Sequence, residues 1–281
     1  MFTIHDLQRI AISRGYAVPH LLGGSVEMVV SQIKAAEDKK SPLAIGFAPE
    51  VFPMVPIEIS LPLIINAAAL AKVPVATQLE HGKNFNVIMK AIKLGISSVM
   101  FDGSSLPYEE NVQKTKEIVK IAHSFGISVE AELGYVGGSA LAKAIEKPSY
   151  LTNPAMVVDF TERTKVDSLA ISFGNVHGNY HVEPELNFDL VREIKSKVDT
   201  PLVMHGGSGL TERQYRDCIE CGISTIHFYT GIAIGVWKHL RKSVGDEEKP
   251  VYHELMEYTM DYFYNETVNI IDMLGSGGQT D

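Results

Sequence analysis

The chain has 281 residues, 45% of them hydrophobic, and a formal net charge of -9. That length allows one large α/β domain or two smaller ones, with ample apolar content for a core. The acidic balance, with no basic run, argues against nucleic acid and anionic membrane surfaces; no segment approaches the roughly 20 apolar residues of a membrane span, and two cysteines supply no disulfide framework.

The N-terminal stretch reads as an amphipathic helix without the uncharged apolar core of a signal peptide, so the cytoplasm is the expected compartment. Short apolar strands then alternate with amphipathic helices. Strands are predicted over 16–22, Leu43–Phe47, 73–79, 98–102, Ser128–Leu133, 168–173, 201–205 and 224–229. Helical patterns include Val26–Asp38, Phe85–Leu94, 108–125, Pro154–Thr164, 188–197 and Glu212–Cys221. Several end at or just before a glycine (Gly95, Gly126, Gly222), as C-caps do, and Asn153-Pro154 and Thr211-Glu212 are starts. Beyond Gly231 the pattern is helical over 232–243 and 251–274, and the tail Gly275-Ser276-Gly277-Gly278 is expected to be mobile. Eight βα units in about 250 residues fit one (β/α)8 TIM barrel with extra C-terminal helices, a single domain over 1–281. An open doubly wound sheet is the competing architecture; the count of eight and the chemically rich strand ends favour the barrel. Cys218 and Cys221 have C-x-x-C spacing inside a helical pattern with no second pair, and read as small helix residues rather than a redox or zinc pair.

Three strand ends are alike: Glu80-His81-Gly82, Val176-His177-Gly178 and Met204-His205-Gly206. A buried parallel strand that ends this way delivers an imidazole to the open end of a barrel. Neutral imidazole is the common protein ligand for zinc, and three protein ligands plus an open position mark a catalytic site. Each histidine alone reads as a hydrogen-bonded non-ligand; the three together are better explained by one shared zinc per chain. His5, His123, His239 and His253 lie in helical patterns and read as surface or packing residues. Asp102 and Glu132 end two further strands, where a turn or salt-bridge role competes with a place behind the zinc ligands or an alternative metal position. Gly206-Gly207-Ser208-Gly209 can turn several backbone N–H groups toward one anion.

These residues, in this order, resemble the class II ketose-bisphosphate aldolases, the fructose- and tagatose-bisphosphate group. The likeness runs along the chain and is tightest from Pro74 to Gly209. Its pieces are Gly15-Tyr16-Ala17-Val18, Leu79-Glu80-His81-Gly82, Met100-Phe101-Asp102-Gly103-Ser104, Glu130-Ala131-Glu132-Leu133-Gly134, Val176-His177-Gly178, Pro184-Glu185-Leu186-Asn187-Phe188 and residues 201–209. The resemblance implies a TIM barrel, zinc on His81, His177 and His205, Asp102 and Glu132 flanking it, and a homodimer or homotetramer. It implies reversible aldol cleavage of a ketose phosphate or bisphosphate through a metal-stabilised enediolate, with no lysine Schiff base. A strand-end carboxylate, here Glu80, handles the proton at the aldehyde oxygen and by strand alternation points away from His81. A loop over 135–150 supplies further proton-transfer groups in some members, with Gly137-Gly138 as a hinge; Glu50 and Glu146 are the next candidates for the acid.

The chain leaves the family pattern at informative places. The family has Asp where Glu80 stands, and the extra methylene moves an acid by about 1 Å, enough to cost two orders of magnitude where geometry is tight. The phosphate-pocket lysine is His181 here, and the asparagine of Lys-Ile-Asn-Val-x-Thr is His227; Gly178, Gly206, Gly207, Ser208 and Thr230 remain. The first strand ends His20-Leu21-Leu22 in place of Ala-Phe-Asn, and Glu50 follows the second strand. Drift within a working aldolase is one reading; altered specificity, with His20, Glu50, His181 and His227 rebuilding the pocket, is slightly preferred. A phosphate beside His181 and His227 would raise both pKa values and bind best when they are protonated, weakening from about pH 6 to 8. A sugar or sugar-phosphate epimerase or isomerase on the same scaffold, or a non-catalytic sugar-phosphate-binding homologue, are the alternatives. In each case the partner is a small-molecule sugar phosphate.

Overall fold

The computed structural model describes residues 1–138, 150–178, 180, 183–245 and 249–280. The predicted apolar runs form β1 (Val18–Leu22), β2 (Leu43–Phe47), β3 (Val75–Gly82), β4 (Ser98–Phe101), β5 (Ser128–Leu133), β6 (Ser168–Ile171), β7 (Leu202–Met204) and β8 (Ile223–Phe228). Among the described residues these eight strands pair in parallel, in chain order, and close into a barrel. Closure comes from β1 against β8, where Val18 partners Thr225 and His20 partners His227. That pairing excludes the open sheet. Nearly every strand residue is buried, as expected of parallel strands covered on both faces.

The covering helices are α1 (Ile4–Arg14), α2 (Val26–Asp38), α3 (Ile57–Leu70), α4 (Phe85–Leu94), α5 (Tyr108–Ser124), α6 (Pro154–Thr164), α7 (Phe188–Lys195), α8 (Glu212–Cys221), α9 (Thr230–Val244) and α10 (Tyr252–Leu274). No described helix is long and apolar enough to cross a membrane. A capping box between Thr3 and Asp6 starts α1, and Gly15 in the left-handed region ends it. Ile4, Leu7 and Ala11 of α1 pack with Val18, Ala44 and Ala76. Gln8 donates to Thr225 Oγ1 at 3.0 Å, and the Ile4 N–H to Ser98 Oγ at 2.9 Å. This helix therefore plugs the N-terminal end of the barrel. Full burial of Ile4 and Leu7 contributes about 1.5–3 kcal/mol each.

Two boundaries differ from the sequence reading in ways that matter. The third strand starts at Val75 and runs on to Gly82, because its pairing with β4 resumes at Gly82–Phe101 after a register shift. The tail is docked rather than loose. Gly275 caps α10, Ser276 is buried and meets Ser41 Oγ at 2.8 Å, and the Gly278 and Gln279 N–H groups donate to Lys39 and Lys40 carbonyls. A glycine-rich end becomes ordered when its backbone groups find partners. Cys218 and Cys221 are free and buried on α8, with Cys218 against the Met204 sulfur, as the packing reading expects.

Candidate metal and substrate site

At the C-terminal mouth of the barrel, the ends of β3, β6 and β7 bring three imidazoles together. Ring centroids lie 4.9 Å apart for His81–His177, 4.8 Å for His81–His205 and 5.6 Å for His177–His205. One nitrogen of each ring falls within 4.8 Å of the others. The backbone explains the convergence. The slip between β3 and β4 puts His81 at φ 43°, a left-handed conformation uncommon outside glycine. Glu80 is thereby buried in the barrel while His81 turns to the mouth. After β6, Asn175 donates to the His205 carbonyl at 3.0 Å and accepts from the Phe173 N–H at 2.8 Å. The Tyr180 hydroxyl donates to the Gly206 carbonyl at 2.8 Å and accepts from the Val176 N–H at 3.2 Å. Gly206, at φ 70°, lies so close to the Val176 carbonyl that a Cβ would collide with it. The two His-Gly turns are thus clamped together.

Two of the rings have one nitrogen held by a carboxylate. His81 Nδ1 meets Asp102 Oδ2 at 3.2 Å, and His205 Nε2 donates to Glu130 Oε1 at 2.7 Å. The third, His177, has a buried Nε2 with no hydrogen-bond partner among the described residues. A buried nitrogen left unpaired costs about 1–3 kcal/mol unless something else meets it. Carboxylates behind ligating histidines fix the tautomer and orient the ring. The donor set fits zinc: three imidazoles, two of them braced. Asp102 is further fixed by the Ser104 N–H at 3.2 Å and hydroxyl at 2.6 Å on its Oδ1. Glu132 lies within the same reach of His81 and Asp102. Its Oε1 accepts from the Val136 N–H at 2.9 Å while Oε2 has no partner.

Charge follows from this packing. Burial opposes a proton on His81, but the hydrogen bond and charge of Asp102 prevail and raise its pKa to about 9. His205 is raised against its burial by Glu130. Burial, with the charges of His81 and His205, holds His177 well below the usual range. Burial and then the charge of Asp102 push Glu132 up to about 7. A zinc ion held by these rings would have to displace protons from the raised histidines, so its affinity should climb at least about tenfold per pH unit between 6 and 8. Asp102→Asn removes the group that keeps His81 protonated. It should flatten that slope, yet lower affinity about 10–100-fold well above pH 9, once His81 has lost its proton in both proteins. Competition titrations with a chelator across pH check both; a slope of zero in the parent contradicts the ligand assignment.

Next to this cluster, Glu80 is buried between two further histidines. Its Oε2 accepts from His227 Nδ1 at 3.2 Å. Its Oε1 lies 3.0 Å from His20 Nε2, yet neither atom has an aligned hydrogen-bond partner. The His20 and His227 rings stack at 3.8 Å and 3°. Parallel stacked planes share no point, so these two rings cannot both aim a lone pair at one ion as they stand. Burial lowers the His227 pKa to about 3. The expectation that His227 would turn toward a phosphate meets a different first partner here: the ring is buried and its Nδ1 is committed to Glu80. Burial also opposes charge on Glu80, but His227 and His20 outweigh it and hold the carboxyl well below its usual value.

Two cavity lobes meet at the imidazoles. One, of about 50 Å³, is lined by His20, Gly178, Gly206, Ser208, His227 and Thr230 among others. Tyr229 and Thr230, at the start of α9, also line this lobe, and the Tyr229 N–H donates to Ser208 Oγ at 3.4 Å. Gly207 corrects one expectation: its N–H donates to the His227 carbonyl at 2.9 Å and is not turned toward an anion. The other lobe, of about 210 Å³, is lined by Glu50, Lys83, Asp102, Glu132 and Tyr135, and both lobes reach Glu80, His81 and His177. Glu50 is exposed and pairs with Lys83 at 3.2 Å. His181, Glu146 and residues 139–149 of the loop lie outside the described residues. The near side of that loop is tied down, with the His177 N–H donating to the Gly137 carbonyl at 2.8 Å.

Sequence reasoning missed four residues here: Gln78, Lys83, Glu130 and Asn175. Gln78 donates to Glu130 Oε2 at 3.2 Å. A period of two was the available signal, since Gln78 stands two before Glu80 and Glu130 two before Glu132. Lys83 follows His81-Gly82 directly and so had to fall near the mouth.

The chain belongs to the class II fructose-bisphosphate aldolase family, whose description, "Fructose-bisphosphate aldolase class-II", matches residues 3–279. It is 36% identical over 244 residues to a sulfofructosephosphate aldolase of Alkalicoccus urumqiensis, covering 86% of this chain and 85% of that protein. It is 35% identical over 243 residues to the uncharacterized protein YdjI of Escherichia coli (strain K12), covering 86% of each. The crystal structure of the YdjI aldolase superimposes with a TM-score of 0.87 at 31% identity, over 100% of this chain and 99% of that one. A putative fructose-1,6-biphosphate aldolase from Coccidioides immitis gives 0.88 at 26% identity, over 98% and 96%.

Proposed function

We propose that this protein is a zinc-dependent aldehyde-lyase that reversibly cleaves a ketose phosphate or bisphosphate, with specificity altered from that of the fructose-bisphosphate enzymes. The convergence of His81, His177 and His205 at the barrel mouth carries this reading. When bound there, zinc supplies Lewis-acid polarisation of the substrate carbonyl. The chain's own groups do the rest. Asp102 and Glu130 hold His81 and His205 in orientation. Glu80 Oε1 is the carboxylate oxygen without an aligned donor. It takes the proton of the C4 hydroxyl as the C3–C4 bond breaks and its electron pair moves toward the C2 carbonyl. A proton must then reach C3 to complete dihydroxyacetone phosphate. Glu132, with a free Oε2 and a pKa raised to about 7, is suited to carry it. The phosphate end of the substrate sits in the smaller lobe, which Gly178, Gly206, Ser208 and the start of α9 line. The aldehyde half takes the larger lobe beside Lys83.

The relative named for sulfofructosephosphate makes a ketose phosphate with an anionic aldehyde half the first candidate to try. The test is a screen of the zinc-loaded protein against phosphorylated, sulfonated and unphosphorylated ketoses, with products read by mass spectrometry. Dihydroxyacetone phosphate and an aldehyde should appear, and a chelator should stop them. An isomer of unchanged mass would instead indicate an epimerase or isomerase. Failure with every ketose, in protein carrying zinc, would count against the lyase.

A further inference from the structure

We propose that His20 and His227 are positioning residues that clamp Glu80, and that the three side chains form one unit in which a glutamate takes the place of the family's aspartate. The proposal rests on Glu80 being the proton-transfer carboxylate. Its first support is spatial. Three positions where the chain leaves the family pattern (His20, Glu80 and His227) are far apart in sequence, Glu80 and His227 by 147 residues, and yet touch. The closed barrel makes this possible, because His20 and His227 are register partners across β1 and β8.

The second support is how Glu80 is held. Its Oε2 is committed to His227 Nδ1 at 3.2 Å, and Oε1 lies against His20 Nε2 at 3.0 Å without an aligned bond. One oxygen is thus anchored while the other still has acceptor capacity for a substrate proton. The rings, stacked at 3.8 Å, fix each other. His227 Nε2 also lies 3.8 Å from Glu130 Oε2, which Gln78 holds in turn. The third support is room. Gly46 on β2 is the residue that admits the pair, since a Cβ there would collide with the His20 ring and the Glu80 side chain.

The physical need is plain. Glutamate carries one more side-chain torsion than aspartate, and an unheld carboxylate spreads over several staggered wells. Proton transfer loses about 10²-fold for a misplacement near 1 Å. Two imidazoles that fix the carboxylate remove that freedom. An aspartate in the same frame would draw back from both rings.

The experiment compares four zinc-loaded proteins: the parent, Glu80→Asp, His20→Ala with His227→Asn, and the triple variant carrying all three changes. Each is measured for zinc content, kcat, KM and melting temperature. In the parent background Glu80→Asp should lower kcat about 10²-fold, with zinc retained and KM little changed. In the His20→Ala, His227→Asn background the same substitution should instead raise kcat at least tenfold. A merely structural role does not reverse sign in this way. Melting temperature should show the matching non-additivity, with Glu80→Asp destabilising the parent and not the double variant. Equal effects of Glu80→Asp in both backgrounds, on kcat and on melting, would overturn the clamp. If the double variant does not fold, His227→Asn alone closes the cycle with Glu80→Asp. Should the zinc-loaded parent cleave no ketose, the lyase reading fails by itself, while the melting cycle still decides whether the clamp exists.

Discussion

Replacing His205 with alanine should strip the protein of its zinc, from about one ion per chain to near none, and abolish turnover. The expectation is geometric. His205 closes the three-imidazole cluster, and two remaining rings leave a site short of the three protein ligands that a catalytic zinc needs. A second consequence separates this residue from its neighbours. His205 Nε2 is the donor to Glu130 Oε1 at 2.7 Å, so its loss leaves a buried carboxylate with a weakened set of partners. Removing one partner of a buried pair is destabilising, by about 3–5 kcal/mol in well-packed cases. His177→Ala is the control, because among the described residues no carboxylate is bonded to that ring. It should lose zinc with a smaller fall in melting temperature. Elemental analysis, turnover and thermal melting of both variants check this; undiminished zinc in His205→Ala would overturn the ligand set.

Glu80→Gln should keep its zinc and lower turnover by about 10²–10⁴-fold, the scale of a general acid–base group. Glutamine preserves size and most of the contact with His227 while removing the proton-accepting carboxylate. Substrate affinity should change little, because the proposed role of Glu80 is to take a proton rather than to hold the phosphate end. The carboxyl is held well below its usual pKa by His227 and His20 against the pull of burial. It is therefore ionised across the neutral range and ready to accept. Steady-state kinetics with zinc content measured on the same preparation decide the matter. Unchanged kcat would move the role to Glu132, whose unpartnered Oε2 lines the same lobe.

The barrel was legible because parallel strands buried on both faces leave apolar runs, and because glycines mark several helix ends. One helix was harder: α3 has Pro56 at its start and Pro62 inside, and its apolar residues run nearly all round it. Closure was not legible locally, since it depends on β1 finding β8 across the whole chain. The three His-Gly strand ends read directly. Glu130 was visible as part of a motif, but its bond to His205 was not, because the two are 75 residues apart. His20, Glu80 and His227 each stood out as a departure from the family, yet only the barrel's register joins the first strand to the last. Their electrostatics were misjudged for the same reason. A histidine taken as a phosphate partner is buried with its Nδ1 on Glu80, and that burial pulls its pKa down.

The central claim is that zinc on His81, His177 and His205 lets this chain labilise a proton of dihydroxyacetone phosphate. That half-reaction can be measured without knowing the aldehyde. In deuterium oxide, zinc-loaded protein should exchange a carbon-bound hydrogen of dihydroxyacetone phosphate, followed by proton NMR. The exchange should vanish on chelation, return with added zinc, and be absent from His205→Ala. No exchange by a parent protein carrying one zinc per chain, or exchange indifferent to the chelator, would contradict the account.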